Sequence, residues 1–158
     1  MRARCKQFGM SVQLERVKPT SDQIVRLFHQ LENRAHGISH KQLPSFEAHR
    51  HFVESSPYRA WFIIKRGDVD LGSIYVQFDN SVGINCSEDV LSSELGDVLE
   101  RLYIELTPLE AIPSVRFGDF FLNVASTNLD LQKKLVDIGY CETQRTFVVS
   151  RVRTHKLS

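Results

Sequence analysis

The chain has 158 residues, 42% of them hydrophobic, and a formal net charge of +1. That is the length of one domain with a sizeable core, and the even charge balance excludes the basic footprint of a nucleic-acid binder. No apolar run approaches the roughly 20 residues that span a bilayer, and Cys5, Cys86 and Cys141 are scattered without a Cys-x-x-Cys pair, which excludes a disulfide framework and a zinc knuckle. A reduced, cytoplasmic compartment and no membrane insertion are the expectation. Residues 1–9 are basic and lack an apolar signal core, so they read as a flexible leader. Residues 10–153 read as a single domain and 154–158 as a tail.

In chain order, Ser11 to Val17 alternates and predicts a first strand, stopped by Pro19. Thr20 or Ser21 can cap a helix to about Arg34, with Ile24, Leu27, Phe28 and Leu31 on one stripe. Ala35 to Pro44 has no stripe and reads as a loop. Ser45 caps a second helix bearing Phe46, His49, Phe52 and Val53. Trp61 to Ile64, Val69 to Phe78 and Val82 to Asn85 form three strands joined by turns at Arg66-Gly67-Asp68 and Asp79-Asn80-Ser81. A polar loop, Cys86 to Ser92, leads to a helix carrying Leu95, Val98, Leu99, Leu102 and Leu106.

The most informative stretch runs from Phe120 to Tyr140. Phe120 to Ala125 is an apolar strand that ends in a polar corner, Ser126-Thr127-Asn128. Asn128 can cap a short helix, a contact worth about 1 kcal/mol. Leu131, Leu135 and Ile138 follow at helical spacing, and Gly139 stands where a helix stops on a left-handed residue. A final hairpin over Tyr140–Arg145 and Thr146–Val152 completes the order β-α-α-β-β-β-α-β-α-β-β.

That order, with Asn128 leading to Gly139-Tyr140, resembles the GNAT superfamily of acyl-CoA-dependent N-acyltransferases from about Met10 onward. The resemblance implies an α/β fold with a mixed sheet of about seven strands and four helices. Ser45, His49, Trp61-Phe62 and Leu71-Gly72-Ser73 are similar to the acceptor side of amino-sugar N-acetyltransferases of bacterial surface-polysaccharide pathways. The implied reaction moves an acetyl group from acetyl-CoA, as cosubstrate, to a primary amine on a small molecule such as a nucleotide-linked amino sugar. A homodimer is compatible with this reading. The rival is a non-catalytic GNAT-like module that binds an acyl-CoA or a partner. Acyl transfer to a protein N-terminus is a third reading.

The resemblance places the cosubstrate along Gly83, Ile84 and Asn85 and over the turn Ser92, Ser93, Glu94, Leu95 and Gly96, with Asn123 and Asn128 on the neighbouring strand and helix. The family's turn carries a leading Arg or Gln and a second glycine, and this chain has neither. Gly83 reads either as a bulge or close approach or as a small residue in a short strand. Asn123 either pairs within the core or faces the cleft. The family's helix-four tyrosine, which protonates the leaving thiolate, falls on Leu135. The amine must lose a proton before attack, and His40, Asp79 and Glu88 are the candidate bases, His40 first because it lies in the acceptor loop. His36, His40, His49 and His51 lack the spacing of a metal site, so no metal is expected.

Overall fold

The computed structural model describes residues 11–34 and 42–149. Its elements are β1 (Gln13–Arg16), α1 (Ser21–Glu32), α2 (Phe46–Ser55), β2 (Ala60–Arg66), β3 (Val69–Val76), β4 (Ser81–Cys86), α3 (Glu88–Glu105), β5 (Phe121–Leu122) and α4 (Leu129–Asp137). Short polar side chains start three of the four helices by accepting an open N–H of the first turn. Thr20 accepts from Gln23 N at 3.3 Å, Ser45 from Ala48 N at 3.2 Å and Asn128 from Leu131 N at 3.2 Å. Gly139, at φ +102°, ends α4. Its N–H donates to Val136 O, and that of Tyr140 donates to Leu135 O, the paired closure that satisfies two terminal carbonyls.

Among the described residues the strands form one mixed sheet in sequence order, antiparallel from β1 to β4 and parallel between β4 and β5. Alternation along β2 sends its side chains to two cores. Phe62 and Ile64 join Ile74, Val76 and Val82 beneath Leu95, Val98, Leu99 and Leu102 of α3 and Leu131 of α4. Ile63, on the other face, packs with Ile24, Leu27 and Val53 of α1 and α2. Each such fully buried aliphatic side chain contributes about 1.5–3 kcal/mol. A charged lattice fixes α1 to the sheet. Arg26 forks onto Asp70 at 2.6 and 2.7 Å and reaches Glu15 at 3.0 Å, while Lys65 and Gln23 also hold Glu15. The Gln23 hydrogen bond, followed by those of Arg26 and Lys65, lowers the Glu15 pKa to about 2.

Three expectations change. The sheet has five strands rather than seven among the described residues. Residues 140–149 of the expected closing hairpin carry no strand, Phe147, Val148 and Val149 are exposed, and residues 150–152 lie outside the described part. The third helix starts at Glu88, not after Ser92. Val90 and Leu91, read as loop, are buried with the α3 stripe, and no proline or positive-φ glycine interrupts the run. The apolar stretch Phe120–Ala125 contributes only Phe121–Leu122 to the ladder, because β4 and β5 pair only at their beginnings.

Candidate active site

The two ends of β4 are built differently. At its start, Asn80 is fully buried at φ +71°. Its amide donates to Leu109 O at 2.8 Å and Phe117 O at 2.7 Å, and its carbonyl oxygen accepts from Leu109 N at 2.8 Å. This single side chain ties the β3–β4 turn to the segment that returns from α3 to β5. Ser81 and Val82 then pair with Phe121 and Leu122. The joint closes with Asn123 N donating to Val82 O at 3.1 Å. From Gly83 onward β4 has no ladder partner on the β5 side, although β3 still pairs with it as far as Cys86. The parallel strands therefore part at their C-terminal ends, as a GNAT-like sheet requires.

Gly83 carries no bulge, since the β3–β4 register is regular through it. It is a glycine because the ring of Tyr75, its direct partner on β3, occupies the place where a Cβ would stand. The phenol end of Tyr75 thus lies over β4 at the first residue past the joint. Asn85, on the same face, donates from its amide to Gln30 O of α1 at 3.4 Å. Cys86, at the open end, has its thiol pKa pushed up to about 12 by burial, so it is a poor nucleophile.

Immediately after the split, Ser87 begins α3 without a side-chain cap. The first intrahelical bond is Leu91 N to Ser87 O, which leaves the amides of Glu88, Asp89 and Val90 as the open donors of this end. Ser92, Ser93, Glu94, Leu95 and Gly96, expected to form the phosphate-binding turn, lie inside the helix, where their N–H groups bond the preceding turn. Leu95 is core, and Glu94 pairs with Arg66. Between the first turns of α3 and the flank of α4 runs an open cleft of about 440 Å³, lined by Glu88, Asp89, Ser92, Asp130, Lys133 and Lys134 among others. Its cations come from α4, where Lys133 also bonds Asp137 at 2.6 Å.

The candidate bases separate. Asp79 is turned to a structural task, accepting from Ser81 N at 2.8 Å in the turn at the closed end. It stands six residues before Asn85, about 20 Å along an extended strand, and is at the wrong end of β4 for chemistry at the split. Glu88 lines the α3–α4 cleft, on the opposite side of the sheet from α1. His40 and His36 lie outside the described residues. His49 is buried against Ile24 O at 3.0 Å, and burial lowers its pKa, so it is a core histidine. Asn123 is exposed with its backbone forming the joint, and Asn128 caps α4. Leu135 packs against the main core.

Sequence reasoning missed Tyr58 and Tyr75. Their rings stack at 4.1 Å and 15°, with Trp61 edge-on to Tyr58 at 5.1 Å. Burial raises both phenol pKa values, and the nearby Arg34 charge opposes that rise in both. Only the strand register, which sets Tyr75 opposite Gly83, reveals the pair.

No protein-family model and no curated protein sequence matches the chain. The structure is similar to the crystal structure of an acetyltransferase from Thermus thermophilus, with a TM-score of 0.59 and 18% identity over 84% of this chain and 88% of that one. It is also similar to the crystal structure of a possible acetyltransferase from Clostridium difficile, with a TM-score of 0.55 and 8% identity over 90% of this chain and 98% of that one. With the parallel β4–β5 pair parted beyond Val82 and the α3 helix starting directly after β4, the chain has the GNAT fold.

Proposed function

We propose that the chain is an acetyl-CoA-dependent N-acetyltransferase acting on a primary amine of a small molecule, with a nucleotide-linked amino sugar as the acceptor class favoured by the sequence resemblance. The observation that carries this reading is the split of β4 from β5 beyond Val82. It leaves backbone groups of Gly83 to Cys86 free of a β5 partner, where an extended pantetheine arm and a thioester carbonyl find hydrogen bonds. The open amides of Glu88, Asp89 and Val90 face the pyrophosphate, with Lys133 and Lys134 as the cations of the cleft. The amine attacks the thioester carbon directly, the tetrahedral intermediate expels the CoA thiolate, and the amine's proton leaves to solvent or a base. Leu135 supplies no acid, so the thiolate takes its proton from water or from the attacking ammonium.

Two observations favour a second reading, a GNAT-like module that binds acyl-CoA or a partner without turnover. They are the acidic first turn of α3, Glu88 and Asp89, and Leu135 in the acid's place. Thermal denaturation with acetyl-CoA tests the shared core of both. Ligand at a hundredfold its Kd adds about 2.7 kcal/mol, or roughly 5–10 °C for a chain of this size. An unchanged Tm overturns the transferase and the acyl-CoA-binding module, and leaves a partner-binding module alone. A raised Tm without release of free thiol over a panel of amines selects the module.

A further inference from the structure

Among the described residues, the closed end of β4 carries three guanidinium groups that no carboxylate neutralises. Arg59 donates to Asn80 Oδ1 at 3.5 Å and to Thr107 O at 2.7 Å. The Asn80 amide also holds Phe117 O, which brings Arg116 to the same corner. Arg116 donates to Glu110 O at 2.9 Å and to Phe78 O at 3.3 Å. Arg16 donates to Arg59 O at 3.3 Å and lies over the Phe62 ring. Every one of these contacts is to a neutral group, and none of the three arginines forms an ion pair among the described residues. Nearby acidic residues are engaged otherwise. Asp79 accepts from Ser81 N, Asp119 accepts from the Tyr103 hydroxyl and Phe120 N, and Glu110 gives Arg116 its backbone carbonyl. Burial first, and then the charges of Arg116 and Arg16, lowers the Arg59 pKa, yet a guanidinium stays charged.

The same end presents bulky apolar side chains to water. Phe78, in the β3–β4 turn, is 65% exposed. Val115 and Phe117, in the loop that Arg116 ties to that turn, are 74% and 57% exposed. Arg59 and Arg116 lie deeper and are half-buried. Apolar tips therefore stand outermost, with uncompensated cations behind them. A second copy of this face does not fit it, since two-fold pairing would set guanidinium against guanidinium. A bilayer does, because its anionic phosphates lie outside its acyl chains.

We infer that this end of the molecule is a docking face for an anionic phospholipid surface, with Phe78, Val115 and Phe117 entering the acyl boundary and Arg16, Arg59 and Arg116 meeting the phosphates. The contact is peripheral and does not depend on the acetyltransferase reading. It leaves the open end of β4, about 20 Å further along an extended strand, away from the lipid.

The test is co-sedimentation of the full chain with vesicles of phosphatidylcholine alone and of phosphatidylcholine mixed equally with phosphatidylglycerol. Binding of poly-glutamate is measured alongside. The expected result is partition onto the mixed vesicles about tenfold or more stronger than onto the neutral ones, and weakened by salt. Arg16→Gln should weaken it about fivefold. Arg50→Gln, which removes an exposed arginine of α2, should leave it unchanged. Phe78→Ser with Val115→Ser, both at exposed positions, should weaken it about tenfold or more, with urea unfolding as in the parent. No partition onto the mixed vesicles, equal partition onto the neutral ones, equal losses from Arg16→Gln and Arg50→Gln, or undiminished partition by the double serine variant overturns the proposal. Poly-glutamate binding without vesicle partition would assign the arginines to an acidic protein instead.

Discussion

The two ends of β4 show what this fold spends its polar groups on. At the closed end Asn80 satisfies three backbone groups of the Leu109–Phe117 segment, and β5 continues the sheet. At the open end β4 has no β5 partner, α3 has no side-chain cap, and Gly83 gives its side-chain space to Tyr75. A buried polar group left unpaired costs about 1–3 kcal/mol, so a sheet tolerates an unzipped strand only where something else holds the pair together. The Asn80 staple does that here. It sets where the strands meet and so where they part. Stability is concentrated at one end, and open hydrogen-bonding capacity at the other.

Breaking the closed end should have the largest effect. Asn80→Ala removes all three contacts and places a Cβ residue without a polar side chain at φ +71°. The expected loss is about 3–4 kcal/mol of unfolding free energy in a urea titration. Asn80→Gly should recover only the backbone part, a few tenths to about 1 kcal/mol.

At the open end the corresponding test is Gly83→Val. Its side chain must displace the Tyr75 ring, an overpacking cost of about 2 kcal/mol. In the Tyr75→Leu background the same substitution should cost less than half of that, because the ring is gone, and the double-mutant cycle reads the coupling directly. Additive costs would mean that the ring and the glycine are independent.

A smaller effect separates the two roles of the α3 terminus. Glu88 and Asp89 favour the helix through its dipole and disfavour an incoming phosphate, each by about 0.3–1 kcal/mol. Glu88→Gln with Asp89→Asn should therefore lower stability slightly and tighten acetyl-CoA binding about three- to tenfold. Opposite signs in the denaturation and calorimetric measurements are the signature, and equal signs would remove the cofactor from this end.

Much of this was legible from the chain. The Thr20, Ser45 and Asn128 caps, the Gly139 stop and the β2–β3–β4 meander follow from local rules, each needing only a few neighbouring residues. The errors came where the deciding partner is distant. Ser87 and Ser92 are equally good starts for α3 by local rules. The choice is made by Val90 and Leu91 entering a core supplied by strands and α4. The turn at Asp79 is legible locally, but that it lies at the closed end of β4 is set by the distant pairing of Ser81 and Val82 with Phe121 and Leu122. Tyr75 became visible only once register set it against Gly83. The Asn80 staple spans about 30–40 residues of sequence and has no local signature.

The central claim is that the open end of β4 is the acyl-CoA site. Determining the structure of the chain crystallised with CoA tests it most directly. The account predicts pantetheine beside Ile84 and Asn85 in the split and pyrophosphate over the amides of Glu88 to Val90, with Lys133 or Lys134 nearby. CoA bound on another face, or a split closed by a further strand with no CoA present, would contradict it.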